Sequence, residues 1–428
     1  MRSIFRCCLV KPGSKKPCSE SATSSNSCCL VVIGNELPWR IICCPIPLSN
    51  SGINMLRSWL GKRGASPIPA PISIEPTNEF DGDDGPWSSF PIQIGTPPQV
   101  VKVLISTASS QTWVVSPLGC NQSDPPNCST SRGGVFESTS SRTWKQDNGT
   151  ANGIVPLLLE ANLNYTGNNI NGAYGYDTVT LGGGSGGPTL DQQIVASIAT
   201  PEYSSLGLFG LNPSSSSLTK SSLPSPSFLS NLNDSGMIPS LTWGYTAGNQ
   251  YRPGPVYGSL IVGGYDTSRF EPNNVSFTFD EAGLWNFTVN IGSVILTTDE
   301  NVTVLSTSNG DTNSISAFVD TTTPYIWLPL SVCEQFEQAF GITWDGNVQG
   351  YLVNDTLHQA LQTQNTSVVF NLGHSSTPGQ GVNISLPYGA FDLVAQAPLV
   401  PNSSRYFPLM RADNEGQYTL GRAFLQEA

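Results

Sequence analysis

The sequence predicts an all-β protein built from two similar lobes, and three observations carry that expectation. A chain of 428 residues has room for two units. Only 12% of the residues are charged while Gly (42) and Pro (33) are frequent among many Ser, Thr and Asn, a composition suited to short strands joined by turns. One strand-loop-strand pattern also occurs twice. Its first copy, residues 101–115 (VKVLISTASSQTWVV), enters on the alternating Val101, Val103 and Ile105, turns through Ser106, Thr107, Ala108, Ser109 and Ser110, and leaves on Thr112 to Val115. Its second copy, residues 317–328 (AFVDTTTPYIWL), turns at Asp320, Thr321, Thr322 and Thr323, and a Trp stands seven residues after the start of each turn, at Trp113 and Trp327.

Both loops resemble the active-site loops of pepsin-like aspartic peptidases, the fungal ones especially, in which each carries Asp-Thr-Gly followed by Ser or Thr. In the first copy the Asp position is Ser106 and the Gly is Ala108, with Thr107, Ser109 and Ser110 kept; in the second, Asp320 and Thr321 are kept and Thr322 replaces the Gly. The resemblance implies a bilobal fold of two β-rich lobes around a central cleft, each lobe supplying one catalytic carboxylate. This chain supplies one in total, Asp320, with Ser106 in place of the other.

In chain order, residues 1–75 stand apart. They hold seven of the ten cysteines, six of them in three adjacent pairs without the spacer of a zinc site, and no histidine. Their short apolar run, 28–33, makes neither a spanning helix nor a good signal-peptide core, so they read as a disordered leader or an atypical start, with Lys62-Arg63 a candidate dibasic processing site. The first lobe is expected over 76–265. Residues 92–99 (IQIGTPPQ) resemble the family's first-strand signature, and Cys120 and Cys128 read as a small disulfide-closed loop. Residues 163–179 resemble the flap hairpin that closes over substrate, which puts Tyr165 at the flap tyrosine position with Trp113 as its candidate hydrogen-bond partner. Residues 207–213 (GLFGLNP) resemble the apolar-apolar-Gly strand behind the first loop. The second lobe is expected over 266–428, with 418–425 (YTLGRAFL) as the matching strand behind the Asp320 loop and fewer strands after it than the family usually has. Cys333, without another cysteine in its half, reads as a buried thiol or as paired outside this chain.

Twelve Asn-X-Ser/Thr sites all fall after residue 120, which points to a secreted or cell-surface glycoprotein. From Pro76 onward ten basic residues face 28 acidic ones, a net charge near −18, which argues against a nucleic-acid or anionic-membrane surface. Gly183-Gly184-Ser185-Gly186-Gly187 matches the serine-nucleophile pattern but lacks a following helix and reads as a hairpin tip. His358 and His374, the two histidines, have no metal-ligand spacing, and neither a metal nor a cofactor is expected. A serine hydroxyl cannot replace a carboxylic acid as general acid or base, so peptide hydrolysis is expected to be impaired. The scaffold that would hold a peptide, Thr107, Thr321, Ser109, Thr323, Trp113 and Tyr165, is present in the sequence. The expected product is thus a secreted monomer with a peptidase fold and a peptide or protein ligand in the cleft; the alternatives are an active or weakly active aspartic-type endopeptidase and a glycosylated surface or cell-wall structural protein whose cleft is idle.

Overall fold

The alternation of Val101, Val103 and Ile105 is realised as the strand Gln99–Ser106, in which all three side chains are buried. The computed structural model describes residues 68–120, 124–147, 155–156, 171–200, 206–216, 225–273, 275–277, 287–297, 302–305, 315–364, 366–373, 381–397, 399–400 and 402–428. Tyr165 and nearly all of the leader lie outside the described residues. Among the described residues a strand already stands before the compositional boundary at residue 75: Ile72–Ile74 pairs antiparallel with Val256–Val262, next to Trp243–Asn249. The alternating Ile72 and Ile74 carry that short strand, and Ile74 is buried.

Each of two large sheets contains one of the repeated loops. In the first, the path runs Thr189–Ile198, Thr112–Val115, Gly207–Gly210, Gln99–Ser106, Phe90–Ile94, Asn171–Leu181, Lys145–Gln146, and Asn171–Leu181 also pairs back onto Thr189–Ile198, closing the sheet on itself. The glycine-rich stretch 182–188 is the turn between Asn171–Leu181 and Thr189–Ile198, the hairpin tip its composition predicts. In the second sheet the path runs Val382–Pro387, Ser367–Leu372, Thr288–Thr297, Ile315–Val319, Thr419–Leu420, Ile326–Pro329, Leu409–Ala412.

The two sheets repeat one topological device. Gly207–Gly210 runs parallel to Gln99–Ser106 and antiparallel to Thr112–Val115, threading between the strands that enter and leave the first loop. Thr419–Leu420 does the same between Ile315–Val319 and Ile326–Pro329. The glycine at the end of each threading segment is required by close approach. A Cβ on Gly210 would run into the Ser109 carbonyl, and one on Gly421 would run into the carbonyls of Thr323 and Tyr325. That explains the apolar-apolar-Gly pattern in physical terms: the apolar pair fills the core and the glycine lets the loop backbone pass. Leu208, Phe209 and Leu420 are all within 1% exposure.

Helices are few and peripheral. Leu330–Phe340 buries Val332, Cys333, Phe336 and Phe340 and ends on Gly341 in the left-handed region, while Asp355–Thr363 is capped by the Asn354 side chain. Among the described residues no helix is long and apolar enough to cross a membrane.

Candidate active site

Strand threading brings the two repeated loops face to face, and their second residues lock them together. The Thr107 hydroxyl donates to the Val319 carbonyl at 2.8 Å and accepts from the Thr321 amide at 3.1 Å. Reciprocally, the Thr321 hydroxyl donates to the Ile105 carbonyl at 2.6 Å and accepts from the Thr107 amide at 2.9 Å. Both side chains are buried, so these four bonds are shielded from water, and each satisfies a backbone group that would otherwise be costly to leave unpaired. Thr107 and Thr321 thus form a symmetric brace between the two loops.

The first position of each loop sits at the base of this brace. Ser106 is fully buried, and its Oγ accepts from the Ser109 amide at 2.9 Å and lies 2.7 Å from Oγ1 of Thr322. Asp320 is 2% exposed; its amide donates to the Leu420 carbonyl, and its Oδ1 accepts from the Thr322 amide at 2.8 Å. Thr322 thus touches both positions, through its amide to the carboxylate of Asp320 and through its hydroxyl to Ser106. Neither Ala108 nor Thr322 has a positive φ, so the loops accept side chains at the family's glycine positions without a left-handed backbone. Both are half-buried, at the border between the packed brace and the open side.

The third pair of candidates also has matching roles. Ser109 Oγ accepts from the Gln111 amide at 3.0 Å, and Thr323 Oγ1 accepts from the Tyr325 amide at 3.3 Å, so each closes its turn two residues on. Trp113 is 1% exposed, and its Nε1 donates to Gln111 Oε1 at 3.1 Å. The same oxygen receives the Tyr174 hydroxyl at 3.2 Å. An indole carries a single N–H. In this structure that N–H donates to Gln111, and the expected partner Tyr165 lies outside the described residues.

Behind the Asp320 loop is a group that the sequence reading passed over. Arg422, 2% exposed, donates from one guanidinium nitrogen to the carbonyls of Thr321 and Thr322, each at 2.9 Å, and from another to the carboxylate of Asp84. Its guanidinium carbon stands 4.9 Å from the centre of the Trp87 ring, and Trp87 Nε1 donates to Asp84 at 2.7 Å. The Tyr406 hydroxyl closes the set on the Asp84 carbonyl. Burial, with Asp84 second, pushes the Tyr325 phenol well above its ordinary range, which keeps it neutral beside this ion pair. The signal for Arg422 was in the sequence: an arginine inside the apolar run 418–425 must find a partner if the run is buried.

The other sequence candidates fall away from this centre. Cys120 and Cys128 form a disulfide with Cα atoms 5.9 Å apart. Cys333 is a buried thiol facing the carbonyls of Leu328 and Met410 at 3.5 and 3.4 Å. His358 Nδ1 lies 3.1 Å from the Asp392 carboxylate and 3.3 Å from the Tyr388 hydroxyl, joining the helix that carries it to the turn at 388–392. His374 lies outside the described residues.

Residues 89–428 match the family model described as eukaryotic aspartyl protease. Similar curated proteins include rhizopuspepsin-4 of Rhizopus niveus, 28% identical over 264 residues, which cover 60% of this chain and 56% of the relative. The probable vacuolar protease A of Arthroderma benhamiae is 25% identical over 296 residues, 67% of this chain and 64% of that protein. Aspartic proteinase 3 of Saccharomyces cerevisiae is 36% identical over a shorter stretch of 134 residues, 30% of this chain and 20% of that protein. The matches thus span little more than half the length of the first of these relatives.

Proposed function

Because the chain belongs to the eukaryotic aspartyl protease family, we propose that it is a secreted or cell-surface member whose cleft holds peptides in extended form but hydrolyses them poorly. The observation that carries this reading is the hydroxyl pair Ser106–Thr322 where the family's chemistry needs a carboxylate. Two carboxylates that share one proton let one act as base toward water while the other donates to the scissile carbonyl. A hydroxyl neither ionises at useful pH nor delivers a proton as an acid does, so Asp320 lacks the neighbour that would tune and complement it. Loss of one positioned acid or base costs about 100- to 10,000-fold.

The brace favours a retained cleft over an idle one. Four buried hydrogen bonds hold the loops in register although the dyad is gone. The reading takes the protein to act as a monomer on a peptide or protein ligand, and its acidic surface gives nucleic acid nothing to bind.

The test is cleavage of casein or a quenched peptide between about pH 3 and pH 6, where carboxylates titrate, with Asp320→Asn as the control for contaminating protease. The expected result is no cleavage above that control, together with saturable binding of a pepstatin-like peptide. Robust cleavage that disappears in Asp320→Asn would show that one carboxylate suffices, and would establish an active endopeptidase instead.

A further inference from the structure

Among the described residues, one edge of the second lobe's sheet carries neither a charge nor a covering element, and of the usual protective devices it has only Pro387 at its end. The strand Val382–Pro387 (VNISLP) is the last in its path and, among the described residues, pairs on one side only, with Ser367–Leu372 (SVVFNL). Neither strand contains a charged residue, and their apolar positions, Val382, Ile384 and Leu386 on one strand and Val368 and Phe370 on the other, are buried. Uncharged, regular edge strands are templates for pairing with another chain, and proteins usually blunt them with Lys, a bulge or a covering element. At the opposite end of the sheet, Leu409–Ala412 is packed by the helix Leu330–Phe340.

What Val382–Pro387 has instead is an Asn-X-Ser site in strand geometry. Successive strand side chains alternate in direction, so Asn383 and Ser385 share a face, and both are exposed while Ile384 between them is buried. The orientation of the Asn383 amide is fixed as well. It stands directly opposite Asn371, which is 3% exposed, and Asn371 Nδ2 donates to Asn383 Oδ1 at 2.7 Å. The oxygen is held inward, which leaves Nδ2, the atom a glycan bonds to, directed away from the buried partner.

We infer that Asn383 carries an N-linked oligosaccharide and that this glycan is the cover of the exposed sheet edge. The amide nitrogen of Asn383 bonds to C1 of an oligosaccharide carried on a lipid diphosphate. The C1–oxygen bond to the diphosphate breaks, the lipid diphosphate leaves, and the amide loses one proton with no change of oxidation state. Because Oδ1 stays bonded to Asn371, the modification leaves the folded strand as it is. Asn354 offers the same arrangement, with its Oδ1 accepting from the Leu357 amide at 2.9 Å while the residue is exposed, but it caps a helix and covers no strand edge.

The inference rests on the secretory reading above, and two expressions of the full chain in a eukaryotic host separate them, one with its own start and one behind a host secretion signal. With the host signal, peptide mapping by mass spectrometry is expected to find a hexose-rich glycan on Asn383. Ser385→Ala, which removes the acceptor site but keeps the Asn383–Asn371 bond, is expected to lose the glycan and to shift the protein from monomer to aggregate on size exclusion after mild heating. Thr356→Ala, which unglycosylates Asn354 only, should leave the monomer peak unchanged. Occupancy at Asn354 with Asn383 bare, or a Ser385→Ala protein that stays monomeric, overturns the inference. Glycosylation behind the host signal but none with the chain's own start would count against the secretory reading and leave the edge assignment standing.

Discussion

Replacing Thr321 by Val removes one hydroxyl and keeps the shape of the side chain, which makes the brace the most direct quantity to measure. The Thr321 hydroxyl serves two backbone groups of the other lobe, the Thr107 amide at 2.9 Å and the Ile105 carbonyl at 2.6 Å. With Thr321 fully buried and Thr107 1% exposed, water cannot replace the lost hydroxyl without opening the contact. A buried polar group left unsatisfied costs about 1–3 kcal/mol, so two such groups put the expected loss at about 2–6 kcal/mol. That is a large share of a typical stability of about 5–15 kcal/mol. The assay is equilibrium urea unfolding, read as a shift of the midpoint at constant slope. Thr321→Ser, which keeps the hydroxyl and loses a methyl, should cost about 1 kcal/mol. Thr107→Val should match Thr321→Val, because its hydroxyl serves the equivalent pair, the Thr321 amide and the Val319 carbonyl. If Thr321→Val costs no more than Thr321→Ser, the four bonds do not hold the lobes together, and the claim that a cleft scaffold survives without its dyad loses its basis.

Restoring the acid alone, Ser106→Asp, should recover little cleavage, because the Thr322 side chain stands 2.7 Å from the position to be filled; adding Ala108→Gly and Thr322→Gly should recover more, as measured with the quenched peptide at acid pH. Arg422→Met should cost about 3–5 kcal/mol, since it leaves the Asp84 carboxylate and two loop carbonyls without their buried cation, and Asp84→Asn should be similarly harmful; thermal melts in which both variants match the parent would refute the assignment. Burial pushes the Cys333 thiol up to about 12, so almost none is thiolate at pH 8, and maleimide should label it only after denaturation; rapid labelling of the native protein would mean that the helix Leu330–Phe340 opens readily.

Much of this protein was determined by local sequence. The alternation at 101–105, the two turn-rich loops with a Trp at equal spacing, and the apolar-apolar-Gly pairs each report a short-range requirement: a pleated strand with a buried face, a tight turn, a backbone passing too close for a Cβ. That position 106 carries a hydroxyl and not a carboxylate is likewise read from the sequence without coordinates. Tertiary structure decided which groups those residues would meet. Thr322 bonds to Ser106 across 216 positions of chain, Arg422 reaches Asp84 across 338, and Gln111 Oε1 accepts from the Tyr174 hydroxyl as well as from Trp113 Nε1. The edge strand Val382–Pro387 is equally invisible in one dimension, since six residues of strand pattern do not say whether one neighbour or two will pair with them. Hydrophobic periodicity is a property of adjacent residues, whereas a buried polar group finds its partner wherever the fold brings one within about 3 Å.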